Sequence, residues 1–137
     1  MKFIARVQND SNHHQVILKV GEKEQPLSIA PKPTGGSSVS GGELLFLALA
    51  TCFCNDIYRE AAKRNIKVEK VEVNVEGDFG TEGESAKNVV YHAKVFAQSS
   101  EDEIREMMKF TDTVAEIQNT LRNGTTVVLR EVEAVKI

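Results

Sequence analysis

The only two cysteines, Cys52 and Cys54, lie in the middle of the most apolar run of the chain, GGELLFLALATCFCNDIYREAAKR over residues 41–64. A cysteine thiolate is a nucleophile and a redox centre, whereas a buried thiol behaves as a small hydrophobic side chain. Position alone favours the second interpretation, because free cysteine is among the most buried residue types. Two cysteines separated by one residue do not form the framework of a secreted disulfide protein, so we expect free thiols in a reducing, cytoplasmic compartment.

Other residue types that perform chemistry show no recognisable pattern. His13, His14 and His92 lack a metal-ligand spacing with the cysteines, and the glycines of residues 35–42 match neither phosphate-binding motif. We therefore predict no metal ion, no nucleotide and no other cofactor. The formal net charge is −3, and the 17 basic residues are interspersed with 20 acidic ones. This pattern does not predict a basic surface that binds nucleic acid or an anionic membrane. No uncharged apolar stretch is long enough to span a bilayer, and residues 1–20 are too polar for a signal peptide.

The first half of the chain predicts strands followed by a helix that carries both cysteines. Alternation predicts three strands, MKFIARVQ, QVILKV and QPLSIA, with a turn at Gly21 between the last two. The segment PKPTGGSSVSGG over residues 31–42 predicts a flexible loop. Ser40 and Glu43 fit a capping box, so a first helix should begin there and end near Lys63 and Asn65.

The second half repeats this order. The runs KVEKVEVNVEGDF and VVYHAKVFAQ alternate and predict a hairpin with one buried and one exposed face. A second capping box at Ser100 and Glu103 predicts an amphipathic helix that ends at Asn123 and Gly124. The tail TTVVLREVEAVKI predicts one or two closing strands. The pattern favours a single α+β domain over residues 1–137, with long helices packed on antiparallel sheet.

The first helix lacks a polar face over residues 44–54. A helix that is apolar all round is buried on every side, and a chain of 137 residues can scarcely surround it alone. We therefore expect a homodimer in which a partner subunit covers the helix.

The run SGGELLFLALATCF, followed by NIKVEKVEVNVEGD, resembles the OsmC/Ohr superfamily of thiol peroxidases and organic hydroperoxide resistance proteins, most closely its OsmC-like redox proteins. Glu43, Leu44, Cys52 and residues 71–75 fit the family's helix start, peroxidatic cysteine and following strand, within a similarity over residues 31–121. The resemblance implies antiparallel sheets wrapped around two long central helices in an intertwined homodimer. It also implies that Cys52 attacks a hydroperoxide, giving an alcohol and a sulfenic acid in an oxidative stress response.

The chain departs from the family where a resolving cysteine is expected, because Ala115 stands at that place in VAEIQNTL. Cys54, a possible secondary thiol, lies about 200° around the helix from Cys52, so a disulfide between them would require unwinding. Two alternatives follow. One is a peroxidase with a single working cysteine, resolved by an external dithiol or low-molecular-weight thiol. The other is a non-enzymatic relative that binds a small apolar ligand at the dimer interface or acts as a thiol sensor.

A peroxidatic thiol needs a neighbouring group that lowers its pKa, which we call a helper, since apolar burial alone raises the pKa of a cysteine. Arg6 is the only N-terminal arginine, although a place in an alternating strand is equally typical of a solvated face. Glu43 matches the family's helix-start glutamate but is equally suited to the capping box. Arg59 shares a helical face with Cys52 but lies roughly 10 Å along the axis, and is the weaker candidate.

Overall fold

The structure, a computed structural model, describes residues 1–137 and contains five strands and three helices. In chain order the elements are β1 (Phe3–Asn9), β2 (His14–Val20), β3 (Lys23–Pro26), α1 (Gly41–Lys63), β4 (Lys67–Asp78), β5 (Lys87–Gln98), α2 (Glu101–Val114) and α3 (Glu116–Arg122). Every strand pairing is antiparallel, which confirms the predicted α+β class. None of the helices combines the length and the apolar character that crossing a membrane requires.

The chain forms two compact units, Met1–Leu45 and Phe46–Ile137. The first holds a three-stranded sheet in the order β1-β2-β3, and the second holds the β4–β5 hairpin with α2 and α3. Helix α1 begins in the first unit and continues through the second. The organisation of residues 1–137 as one domain stays a prediction.

The first unit follows the predicted strands with one shift. Strands β1 and β2 lie where alternation places them, but β3 covers Lys23–Pro26 rather than QPLSIA. The shift arises because Gly21, at a φ of +57°, makes a tight turn that pairs Val20 directly with Lys23. The loop before α1 is also structured, because Asn9 accepts a hydrogen bond from the Gly36 amide and donates one to the Gly36 carbonyl.

Helix α1 begins and ends as predicted. The Glu43 amide donates to the Ser40 hydroxyl at 3.2 Å, and the Ser40 amide donates to the Glu43 carboxylate at 2.7 Å. The chain turns out of the helix at Asn65, whose φ of 54° is left-handed. Within one chain, however, α1 is not buried on every side, since Leu47 is 56 % and Tyr58 47 % exposed.

The core of the second unit lies between the helices and one face of the hairpin. Its fully buried members come from α1 and α2: Phe53, Ile57, Ala61 and Met107. Partly buried side chains of β4 and β5 pack against them: Val68, Val71, Val73, Tyr91, Ala93 and Val95. Burial alternates along most of β4 and along residues 91–98 of β5, which confirms the predicted half-exposed hairpin.

A buried acidic side chain stands beside this core. Glu60 accepts hydrogen bonds from Arg59, Lys63 and Arg64 at 3.1, 3.0 and 3.1 Å. The bond from Lys63 contributes most to lowering the pKa of Glu60 to about 2. Three cationic partners therefore keep this carboxylate ionised in its buried position.

The second predicted helix is two helices. It starts at the predicted cap, where the Glu103 amide donates to Ser100, but it breaks at Ala115, whose ψ of 111° is extended. Side chains from α3 compensate the carbonyls that the break leaves at the end of α2, because Asn119 donates to the Thr113 carbonyl and Arg122 to the Asp112 carbonyl. The prediction of one continuous helix is therefore wrong.

Residues 125–137 form no strand, so the predicted closing strands are wrong for a single chain. A strand needs a neighbour for its backbone hydrogen bonds, and no strand edge of this chain pairs with the segment. Its apolar side chains are left exposed, with Val127 94 %, Leu129 83 % and Val135 86 % accessible.

Candidate functional site

The Cys52 thiol lies between a carboxyl group of its own helix and the start of α3. Its Sγ donates a hydrogen bond to Oδ2 of Asp56 at 3.6 Å. Residues four apart share one face of a helix, which is why α1 brings these two side chains together. The backbone amide of Ile117 faces the same sulfur and lowers its pKa. The half-buried thiol therefore has a carboxyl group on one side and a backbone amide on the other.

A chain of charged groups continues from Asp56 to α3. Nη1 of Arg59 lies 3.2 Å from Oδ1 of Asp56 and 2.7 Å from Oε1 of Glu116. The carboxyl groups of Asp56 and Glu116 are also close together, with one oxygen of each within 4.8 Å of the other. Nε of Arg59 donates to Glu60 at 3.1 Å, which anchors the guanidinium. We call Cys52, Asp56, Arg59 and Glu116 the thiol cluster.

Two contacts attach α3 to α1 beside this cluster. The buried Gln118 side chain donates to the Leu49 carbonyl at 3.1 Å, and Arg59 pairs with Glu116. Because the chain breaks at Ala115, α3 begins at Glu116, and Glu116 and Ile117 lie in its first turn. The fully buried Ala115 thus fixes the point from which α3 presents a carboxylate and an amide to α1.

The environment of Cys52 holds its proton on the sulfur. Burial contributes most to raising the pKa of the thiol, and the Asp56 and Glu116 carboxylates raise it further against the opposing Ile117 amide. Arg59 bonds to the carboxylates rather than to the sulfur, so it does not compensate this effect. Because an ordinary cysteine has a pKa of about 8.5, Cys52 is a protonated thiol at neutral pH.

The two carboxyl groups differ in their affinity for a proton. Burial, followed by the charge of Glu116, raises the pKa of Asp56. The bond from Arg59 contributes most to lowering the pKa of Glu116. Asp56 is therefore the member of the pair that takes up a proton more readily.

The cluster also offers donor atoms of the kind that metal ions accept. The Cys52 sulfur and one oxygen each of Asp56 and Glu116 lie within 4.8 Å of one another. Arg59, however, already bonds to both carboxylates and supplies their positive counter-charge. We assign no metal ion here, because it would have to displace an arginine that is itself anchored on Glu60.

Cys54 has different surroundings from Cys52. It lines a groove of about 260 Å³ on the other side of α1, with Ala50, Thr51, Asn55, Val71 and Val73. Both cysteines are free thiols. Their separate environments agree with the expectation that side chains two apart on a helix point in nearly opposite directions.

The three predicted helpers lie in different places. Arg59 belongs to the thiol cluster, where it contacts Asp56 rather than the sulfur. Arg6 is exposed on β1, and Glu43 is exposed at the start of α1, where bonds from Ser40 lower its pKa. Both belong to the first unit, whereas the second unit alone supplies the thiol cluster. Their support of Cys52 stays a prediction.

Sequence reasoning missed Asp56, Glu116 and the Ile117 amide as partners of the thiol. The sequence could have indicated Asp56, because a carboxylate four residues after a cysteine in a helix lies on the same face. It could not have indicated Glu116 and Ile117, since their approach to Cys52 depends on the helix break at Ala115.

The profile of the OsmC-like protein family matches residues 34–130, which is more than half of the chain. The chain belongs to the OsmC-like protein family. The solved structures similar to this OsmC-like chain include an OsmC-like protein from Mycoplasma pneumoniae (22 % identity, 89 % of each chain covered, TM-score 0.61). An OsmC-like protein of unknown function from Vibrio cholerae is 17 % identical over 88 % of this chain and 93 % of that one, with a TM-score of 0.64.

A third similar structure is an organic hydroperoxide resistance protein OsmC and predicted redox protein from Legionella pneumophila. It is 21 % identical over 89 % of this chain and 90 % of that one, with a TM-score of 0.58. No curated protein sequence matches this OsmC-like chain. At these identities the structural likeness confirms the fold that the sequence resemblance predicts.

Proposed function

We propose that this OsmC-like protein is a thiol-dependent peroxidase or redox protein that reduces organic hydroperoxides or hydrogen peroxide through Cys52. The observation that carries the proposal is the placement of one of its two cysteines beside an acid–base group, with Asp56 at 3.6 Å from the sulfur and the Ile117 amide lowering its pKa. Family membership supports it, as does the description of the similar Legionella structure as an organic hydroperoxide resistance protein. Two free thiols suit the reducing cytoplasm, where we place the protein.

The proposed reaction transfers one oxygen atom. An electron pair of the Cys52 sulfur forms a bond to the terminal oxygen of the hydroperoxide, which carries the hydrogen, while the oxygen–oxygen bond breaks. The sulfur is oxidised to a sulfenic acid, and the leaving alkoxide takes up the thiol proton to become an alcohol. The peroxide is the only oxidant required.

We further propose that an external thiol completes the cycle. The buried Ala115 offers no sulfur at the resolving position, and Cys54 lies in a groove away from Cys52. A first external thiol would condense with the sulfenic acid, releasing water and forming a mixed disulfide. A second thiol would then free Cys52 and leave as a disulfide with the first.

A second candidate function rests on the raised pKa of the Cys52 thiol. A protonated, half-buried thiol suits a slowly reacting thiol sensor, or a non-enzymatic protein that binds a small apolar ligand, better than a rapid peroxidase. Peroxide-dependent turnover separates this candidate from the first.

The proposal predicts sustained hydroperoxide consumption only when a dithiol is present. With dithiothreitol and cumene hydroperoxide, catalytic amounts of protein should consume many equivalents of peroxide, because each sulfenic acid is reduced again. Without the dithiol, consumption should stop at about one equivalent per chain. Peroxide remaining at the level of a protein-free control in both cases would exclude the peroxidase and leave the sensor or ligand-binding candidate.

We also propose that the protein is a homodimer. Leu47 and Tyr58 leave an exposed stripe on α1, and residues 125–137 expose apolar side chains on a segment that pairs with no strand. A second copy that covers both would bury the surface that one chain leaves open. Sedimentation equilibrium should give twice the chain mass of 15.1 kDa, and deletion of residues 125–137 should shift the mass toward the monomer. A mass of 15.1 kDa for the full chain would contradict the dimer.

A further inference from the structure

The Cys52 thiol is hydrogen-bonded to a carboxyl group rather than placed next to a positively charged side chain. Its Sγ donates to Asp56, whereas the guanidinium of Arg59 is held by Asp56, Glu60 and Glu116. A positive charge beside the sulfur would stabilise a thiolate before the substrate arrives. The observed arrangement instead provides a destination for the proton when the sulfur reacts.

The carboxyl groups of Asp56 and Glu116 can together accept one proton. One oxygen of Asp56 and one of Glu116 lie within 4.8 Å of each other, and two like charges at this separation raise the affinity of the pair for one proton. Arg59 favours the ionised form of Glu116, so a proton released by the thiol goes to Asp56 rather than to Glu116. The raised pKa of Asp56 and the lowered pKa of Glu116 agree with this assignment.

We propose that Asp56 is a catalytic residue that removes the proton from Cys52 and returns it to the leaving alkoxide, while Glu116 accepts a hydrogen bond from protonated Asp56. This assignment rests on the peroxidase function proposed above. As sulfur bonds to the terminal peroxide oxygen, its proton moves to Oδ2 of Asp56. As the oxygen–oxygen bond breaks, the same proton passes to the alkoxide, so that the products are the Cys52 sulfenic acid and an alcohol.

The groups around Asp56 support a relay rather than a fixed ion pair. The charged neighbours that face it are Arg59 on its own helix and Glu116 on α3, and the thiol occupies its other oxygen. Arg59 lies closer to Glu116, at 2.7 Å, than to Asp56, at 3.2 Å. Lys63 and Arg64 are directed to Glu60 instead. Asp56 can therefore change its charge while the arginine stays paired.

The test replaces Asp56 in a Cys54→Ser background, so that Cys52 is the only thiol. Asp56→Asn removes a negative charge beside the sulfur, and we expect the pKa of Cys52 to fall and its alkylation by iodoacetamide at pH 7 to become faster. Its single-turnover reaction with cumene hydroperoxide should nevertheless slow on the order of 100-fold, because the proton acceptor is lost. Asp102→Asn, which removes a 97 % exposed aspartate of α2, is the matched control and should change neither rate.

The pH profile separates catalysis from a structural effect. The peroxide reaction of the parent protein should change little across neutral pH, because Asp56 acts as an internal base. In Asp56→Asn it should rise with pH in parallel with alkylation, because only preformed thiolate then reacts.

Two outcomes would overturn the relay in different ways. An Asp56→Asn protein that reacts with peroxide as fast as its parent, or faster, would show that Asp56 only disfavours the thiolate form of Cys52. The peroxidase function would then stand without the relay. A parent protein that does not react with peroxide at all would overturn the peroxidase function and the relay with it.

Discussion

Cys52→Ser abolishes hydroperoxide consumption, and Cys54→Ser retains most of it. We expect the serine variant at position 52 to fall to the protein-free background, because an alcohol does not form the sulfenic acid on which the cycle depends. Cys54 has no such role, since it lines a groove away from the thiol cluster. We therefore expect the Cys54→Ser rate to stay within about threefold of the native rate, with consumption measured in the presence of excess dithiothreitol.

The pair of variants forms its own control. Both replace a half-buried thiol on α1 by a hydroxyl of similar size, so they should alter folding to the same small degree. Circular dichroism should show equal helix content in both. Equal loss of activity in the two variants, with folding intact, would contradict the assignment of different roles to Cys52 and Cys54.

Phe53→Ala lowers the free energy of unfolding by about 3–5 kcal/mol, the range found when a buried phenylalanine is truncated to alanine. The Phe53 side chain is 2 % exposed and meets the Tyr91 ring edge-on, with the ring centres 5.1 Å apart. Its removal leaves a cavity between α1 and the hairpin that Ile57 and Met107 also line. Urea denaturation at fixed protein concentration measures the loss.

Phe110→Ala is the matched control for this substitution. Phe110 is 43 % exposed on α2, and its main partner is the guanidinium of Arg64 at 5.0 Å from the ring centre. We expect its removal to cost about 1 kcal/mol or less. Similar losses for Phe53 and Phe110 would show that the helices do not pack on the hairpin as described.

The elements that could be predicted are those with a strong local cause. Ser40 and Ser100 cap two helices where the sequence indicates, and alternation located the β4–β5 hairpin. The break at Ala115 could not be predicted, because alanine is a good helix former and the break depends on tertiary bonds from α3. The prediction for the tail failed differently, since its Val-rich composition is typical of strands but no strand of this chain pairs with it.

The sequence also predicts only part of the candidate site. Cys52 followed from the resemblance, and Asp56 lay within reach of helical geometry. The approach of Glu116 depends on where the broken helix resumes, which no local pattern encodes. Glu43 was ambiguous because one carboxylate suited two roles, and the structure shows it in the capping box.

The most direct test of a peroxidatic Cys52 is mass spectrometry after a stoichiometric pulse of organic hydroperoxide in the presence of a sulfenic-acid trap. We predict one trap adduct per chain, located on Cys52, with Cys54 unmodified and no disulfide between the two cysteines. Two unmodified thiols, or an adduct confined to Cys54, would contradict the proposed function.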